Sequence, residues 1–145
     1  MADPDTLKKH GYHMIHHSER FNIWYCPDKN RVFINLFDPP SKEEVNKAFV
    51  GIAGSFTRPV DLITDHLHMT SVGVAQPEEL EACFDRFFDL FEIRYVVRIC
   101  ETEEGCVICV PLDATLAGEE KGRLIGRTAN FEEAERLLDQ QQGKP

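Results

Sequence analysis

The sequence predicts an α/β domain, a mixed β-sheet covered by helices in the order β-β-α-β-α-β-β-(β)-α. Three observations carry that prediction. Two aromatic and β-branched runs, 21–26 and 31–37, flank the turn-forming Pro27-Asp28-Lys29-Asn30 and read as a hairpin. Two segments, from Ser41 and from Pro77, repeat apolar residues at helical spacing. Further apolar runs at 60–68 and 94–100 alternate with them, and helices that separate strands require crossovers that lay them on the faces of a sheet.

Each element has a local reason. Residues 1–18 hold four of the six histidines and few large apolar side chains, so they read as a flexible, His-containing N-terminal tail ahead of a single domain over 19–139. The second hairpin strand stops at Asp38-Pro39-Pro40, because proline offers no N–H to a ladder. Ser41 with Glu44 three residues on forms a capping box. Val45, Ala48, Phe49, Ile52, Ala53 and Phe56 then give one apolar face that stops before Pro59. Gly51 and Gly54 weaken this helix or allow close packing on the sheet.

In the strand at 60–68, Leu62, Thr64, His66 and His68 share one face, and Ile63, Asp65 and Leu67 the other. Pro77 suits a first helical turn, Glu78 and Glu79 complement its dipole, and a stripe from Leu80 to Phe91 supplies its apolar face. Arg94–Cys100 is the fourth strand, Thr102–Gly105 a turn, Cys106–Val110 the fifth strand and Arg123–Arg127 a short further strand. Asn130 with Glu133 caps a last helix whose face is Phe131, Ala134, Leu137 and Leu138, and 140–145 is a frayed end.

Composition narrows the functional classes. A chain of 145 residues buries about two-thirds of its unfolded surface and needs no staple of disulfides or metal. Lys plus Arg number 16 against 25 for Asp plus Glu, a net charge of −9, which disfavours binding to nucleic acid or to anionic membranes. No run approaches 18 apolar residues, so no membrane insertion is expected. An odd count of five cysteines without a dense framework fits reduced thiols and a cytoplasmic protein. Cys106-Val-Ile-Cys109 lies inside an apolar strand, where positions three apart face opposite sides and cannot share an ion.

The chemistry-bearing candidates are few. No cysteine or carboxylate ligand pattern closes a site beside His10, His13, His16 and His17, so no metal site and no cofactor are expected. Asp65-His66-Leu67-His68 approaches the end of a presumed central strand, where open α/β sheets place ligands. Asp65 either accepts backbone bonds from the following loop or, with His66, His68, Thr70 and Ser71, forms a ligand or partner site. Arg94 and Arg98, alternating with Val96, clothe the solvent side of the sheet or meet an acidic partner. No nucleophile elbow, HExxH, phosphate loop or carboxylate pair is present, so no catalytic residue is assigned.

From Phe21 to Leu138 the chain resembles the STAS-like superfamily, in particular SpoIIAA-like bacterial proteins. The likeness rests on the opening hairpin, the Ser41 helix, Asp61-Leu-Ile-Thr-Asp65, the Pro77 helix, Arg94–Cys100, and the close Arg127-Thr-Ala-Asn-Phe-Glu-Glu-Ala-Glu-Arg-Leu-Leu138. The resemblance implies partner-switching through protein–protein contact. It also implies a phosphorylation candidate at Ser71, within Thr70-Ser71-Val72-Gly73, although Met69 stands where that pattern has aspartate. The expected function is a small cytoplasmic, non-catalytic regulatory or binding module with a protein partner. The alternatives are a small-molecule binding protein or enzyme using 66–73, and a homodimer formed through an exposed sheet edge.

Overall fold

Local signals order the chain from its third residue. In the computed structural model, which describes residues 3–37, 41–52, 54–57, 59–65, 86, 89–99 and 123–142, a short helix α1 (Pro4–Lys9) precedes strand β1 (His13–His17). The Asp3 carboxylate accepts the Thr6 N–H at 2.8 Å, Pro4 occupies the first turn, and Lys8 and Lys9 the last. Gly11, at φ 90°, ends the helix in a conformation that favours glycine. The flexible tail expected ahead of residue 19 is therefore corrected: 4–17 form helix and strand, with Leu7 and Tyr12 buried.

The hairpin forms as expected. β2 (Phe21–Cys26) pairs antiparallel with β3 (Arg31–Leu36) in unbroken register from Phe21↔Leu36 to Cys26↔Arg31. Asn30 takes φ 51° in the turn, accepts the Tyr25 hydroxyl at 2.6 Å and donates to the Pro59 carbonyl at 2.7 Å. Helix α2 (Lys42–Ile52) starts on the expected box, with the Glu44 N–H donating to Ser41 Oγ at 3.2 Å. Val45, Ala48 and Ile52 are buried. Phe49 and Phe56 pack on that core, with Phe56 stacked on Phe91 at 4.7 Å. A Cβ added at Gly51 or Gly54 would meet nothing within 4 Å, so close packing does not explain either glycine.

Three parallel partners follow β3. β4 (Val60–Asp65), β5 (Ile93–Ile99) and β6 (Arg123–Thr128) complete a six-stranded mixed sheet in the order β1-β2-β3-β4-β5-β6. Residues 86 and 89–91 are helical ahead of β5, and α3 (Phe131–Gln142) follows β6. The expected strand at 106–110 and most of the Pro77 helix lie outside the described residues. Every residue of β2, β3 and β4 is buried, as interior strands covered on both faces require. One core joins the hairpin, Leu62, Val96 and Phe91 to α2. The other joins Trp24, Phe33, Ile63 and Val97 to Leu7 and to Phe131, Ala134 and Leu138 of α3. Among the described residues no helix is long and apolar enough to cross a membrane.

Because Leu7 is fully buried in the second core, Leu7→Ala should cost about 2–5 kcal/mol, measured by urea unfolding. A change under about 0.5 kcal/mol would return the segment to the status of a tail.

Candidate functional site

β3 to β6 run in one direction, so their C-terminal ends share one edge of the sheet, where α/β proteins place ligands. Asp65 ends β4 there, paired with Asn35 of β3 on one side and Ile99 of β5 on the other; Thr128 stands beyond Ile99 on β6. Asn35 and Asp65 alternate with Phe33 and Ile63, so they face the α3 side of the sheet. Both are buried, and Asn35 Oδ1 has no hydrogen-bond partner among the described residues. Thr64 takes the opposite face, where the buried Arg98 donates from Nη1 to its Oγ1 at 2.9 Å. Thr128 Oγ1 donates to the Asn130 carbonyl at 3.0 Å, and Asn130 Oδ1 accepts the Glu133 N–H at 2.9 Å, which starts α3 at this same edge.

Of the five expected site residues, the structure places Asp65 on an interior strand at this edge; His66, His68, Thr70 and Ser71 lie outside the described residues. At this edge Asp65 stands beside an amide oxygen, Asn35 Oδ1, that has no hydrogen-bond partner among the described residues and suits an N–H donor.

The two arginines of β5 correct the expected pattern. The register slips between Val60 and Leu62, which face Ile93 and Val96, so β5 carries an extra residue there. Arg94 is thereby turned to the α3 side, where Nε and Nη2 each donate to Asp61 at 3.1 Å, while Arg98 lies fully buried on the other face. Neither the shared face nor the solvent position expected of Arg98 holds. The slip is a property of strand pairing and leaves no mark in the alternation of one strand.

Among the described residues the densest charged cluster lies at the opposite edge, and the sequence reading missed it. Glu135, 3 % exposed, sits on the buried side of α3. Its Oε2 accepts Arg31 Nη1 at 2.8 Å and Lys29 Nζ at 2.7 Å, and its Oε1 accepts the Tyr12 hydroxyl. Asp139 adds ion pairs to Arg31 at 3.1 Å and to Lys29 at 3.2 Å. Gln142 Nε2 donates to the Lys29 carbonyl at 2.9 Å and to Asp61 Oδ2 at 3.1 Å. One signal was available: Glu135 falls four residues after Phe131 and three before Leu138, within the apolar stripe itself.

Burial, reinforced by the Glu135 carboxylate, holds the Tyr12 hydroxyl pKa well above its usual 10.0. Burial works against the Lys29 ammonium, but Glu135 and Asp139 outweigh it and raise its pKa. The N-terminal imidazoles each find a separate neighbour. His10 packs edge-on to Phe131, His13 to Tyr25, His16 lies 4.8 Å from the Phe21 ring, and His17 Nδ1 is 2.8 Å from Asn22 Oδ1. Among the described residues no group of three or more His, Cys, Asp or Glu side chains is placed to hold a metal ion. Cys26 is a buried free thiol; the other four cysteines lie outside the described residues.

Compared with known proteins, the chain matches no family model, no curated protein and no solved structure.

Glu135→Leu should cost about 3–5 kcal/mol, because it leaves the Arg31 charge buried without its buried partner. Adding Arg31→Met should recover part of that loss, and a double-mutant cycle in urea reads the coupling. Tyr12 and Lys29 both have folded pKa values raised above their unfolded ones. Their contribution is complete below about pH 10 and falls as pH rises further. An absorbance titration should show one tyrosine that ionises only with unfolding and that disappears in Tyr12→Phe.

Proposed function

We propose that this chain is a small cytoplasmic STAS-like domain of the SpoIIAA-like kind, acting without catalytic turnover as a regulatory or binding module through protein–protein contact. The observation that carries the reading is the Asn35 side-chain oxygen, buried without a hydrogen-bond partner among the described residues, beside Asp65 at the C-terminal edge of interior strands and directly before 66–73. A main-chain N–H of a partner is the kind of donor that this oxygen takes. The β2–β3 hairpin followed by strands that alternate with helices supports the family resemblance, as does the close through Asn130 into α3, whereas α1 and β1 ahead of the hairpin are additions to the expected pattern. The charged groups of the opposite edge support it too, because they pair with one another and hold α3 on the sheet. Ser71 remains the phosphorylation candidate, in the segment that leads away from Asp65.

A second reading, small-molecule binding or catalysis through 66–73, draws on Arg98. A buried guanidinium hydrogen-bonded to Thr64 at this same edge suits an anionic ligand.

Photo-crosslinking separates the readings. A photoreactive amino acid at Ser71 should crosslink one reproducible protein in the native host, and the same probe at the exposed Glu132 should not. Asp65→Asn should weaken the crosslink at least fivefold in a folded chain. Identical products from both positions, or none from Ser71, would overturn the protein-contact reading. Phosphate-bearing metabolites that raise the melting temperature of the wild type but not of Arg98→Met would favour the second.

A further inference from the structure

A second surface lies at the far side of the sheet. Among the described strands β1 is the outermost, and α2 crosses above it. Between them runs a groove of about 410 Å³, within the range of pockets that hold a ligand. Its floor is apolar, from Ile15, Phe21, Ala48 and Ile52. The register of β1 slips between Met14 and His16, and this bulge turns the consecutive residues Ile15 and His16 into the same groove.

The polar lining is selective. Glu44 is already engaged, by the Ser41 N–H and by Arg20 at 3.4 Å. Lys47 has no ion-pair partner among the described residues, and His16 Nε2 is shielded from solvent with no hydrogen-bond partner there. The groove therefore offers an apolar floor and one cation without an ion-pair partner among the described residues, beside the edge of a strand. A strand edge complements extended backbone, and the cation complements a carboxylate. The bulge interrupts the edge, which discourages long edge-to-edge pairing with a second copy and leaves room for a short segment only.

We propose that the β1–α2 groove docks a short extended peptide of a partner protein, one that places an apolar side chain on the groove floor and a neighbouring carboxylate against Lys47. The proposal does not depend on the strand-edge site at Asp65, which lies on the other face of the sheet and on a different strand.

Gly51 provides a clean test. It lines the groove from α2, and a Cβ there meets nothing within 4 Å, so Gly51→Leu starts into open space and adds bulk to the groove. A random twelve-residue phage library is selected on the full wild-type chain and counter-selected on Gly51→Leu. The enriched peptides should carry a large aliphatic or aromatic residue next to Asp or Glu. Synthetic copies should bind the wild type and lose at least tenfold in affinity with Gly51→Leu and at least threefold with Lys47→Glu, an exposed position. Amide shifts on binding should map to 15–18 and 44–52. Circular dichroism and melting temperature check that both variants fold as the wild type does. Several results would overturn the proposal. They are no clone that depends on Gly51, selected peptides that are basic, and shifts confined to the strand ends. Self-association of the wild type that Gly51→Leu abolishes would also do so, assigning the groove to a second copy. The Ser71 crosslink should be unchanged in Gly51→Leu, which keeps the two surfaces distinguishable.

Discussion

A carboxylate cannot be taken out of water without partners, and Glu135 is almost fully buried. Its partners arrive from two places far apart in the chain: Tyr12 from the link between α1 and β1, and Lys29 and Arg31 from the hairpin turn and the start of β3 next to it. The seat of α3 on the sheet follows from that requirement. Tyr12, Phe33 and Phe131 pack edge-to-face in a mutual triad just beside it, with centroids 5.4 to 6.4 Å apart. Apolar packing holds the helix against the face, and the ion pairs set its position along the face. Loss of either Tyr12 or Arg31 would leave Glu135 under-satisfied, so the N-terminal segment is part of the domain's architecture.

The two edges of the parallel sheet consequently differ in kind. At the N-terminal edge, Arg31, Asp61 and Arg94 are paired with Glu135, Asp139, Gln142 and one another, and their polar capacity goes into holding elements together. At the C-terminal edge, Asn35 retains an unpaired oxygen beside the Asp65 carboxylate. Function is more economically placed where a polar atom is left without a partner, which is why the binding reading rests on Asn35 Oδ1 at the second edge.

Bulges determine where several of these side chains point. The extra residue in β5 sends Arg94 to Asp61 and leaves Arg98 on the opposite face against Thr64. The slip in β1 aims Ile15 and His16 together under α2. Burial lowers the His16 pKa, with the neighbouring His17 acting in the same direction, so its ring is neutral at neutral pH and keeps one nitrogen as a donor. A period-two reading of either strand misplaces these residues, because one inserted residue exchanges the faces on one side of it.

Much of the architecture is local and was readable as such. The hairpin register follows from two apolar runs around Pro27–Asn30, α2 and α3 start at Ser41 and Asn130 because short side chains cap N–H groups, and β4 is interior because Leu62 and Ile63 are both apolar. α1 was equally legible from Asp3-Pro4 and Lys8-Lys9-His10-Gly11, but four histidines in a polar stretch obscured its caps. The sequence by itself determined an α/β domain with those elements and with Asp65 at a strand end, since capping, turn chemistry and periodicity act within a few residues. Only the tertiary structure decided that Glu135 is an anchor, that Arg94 and Arg98 part company, and that β1 and α2 enclose a groove. Those outcomes depend on which strands lie side by side and in what register, and register is a relation between segments that no single segment encodes.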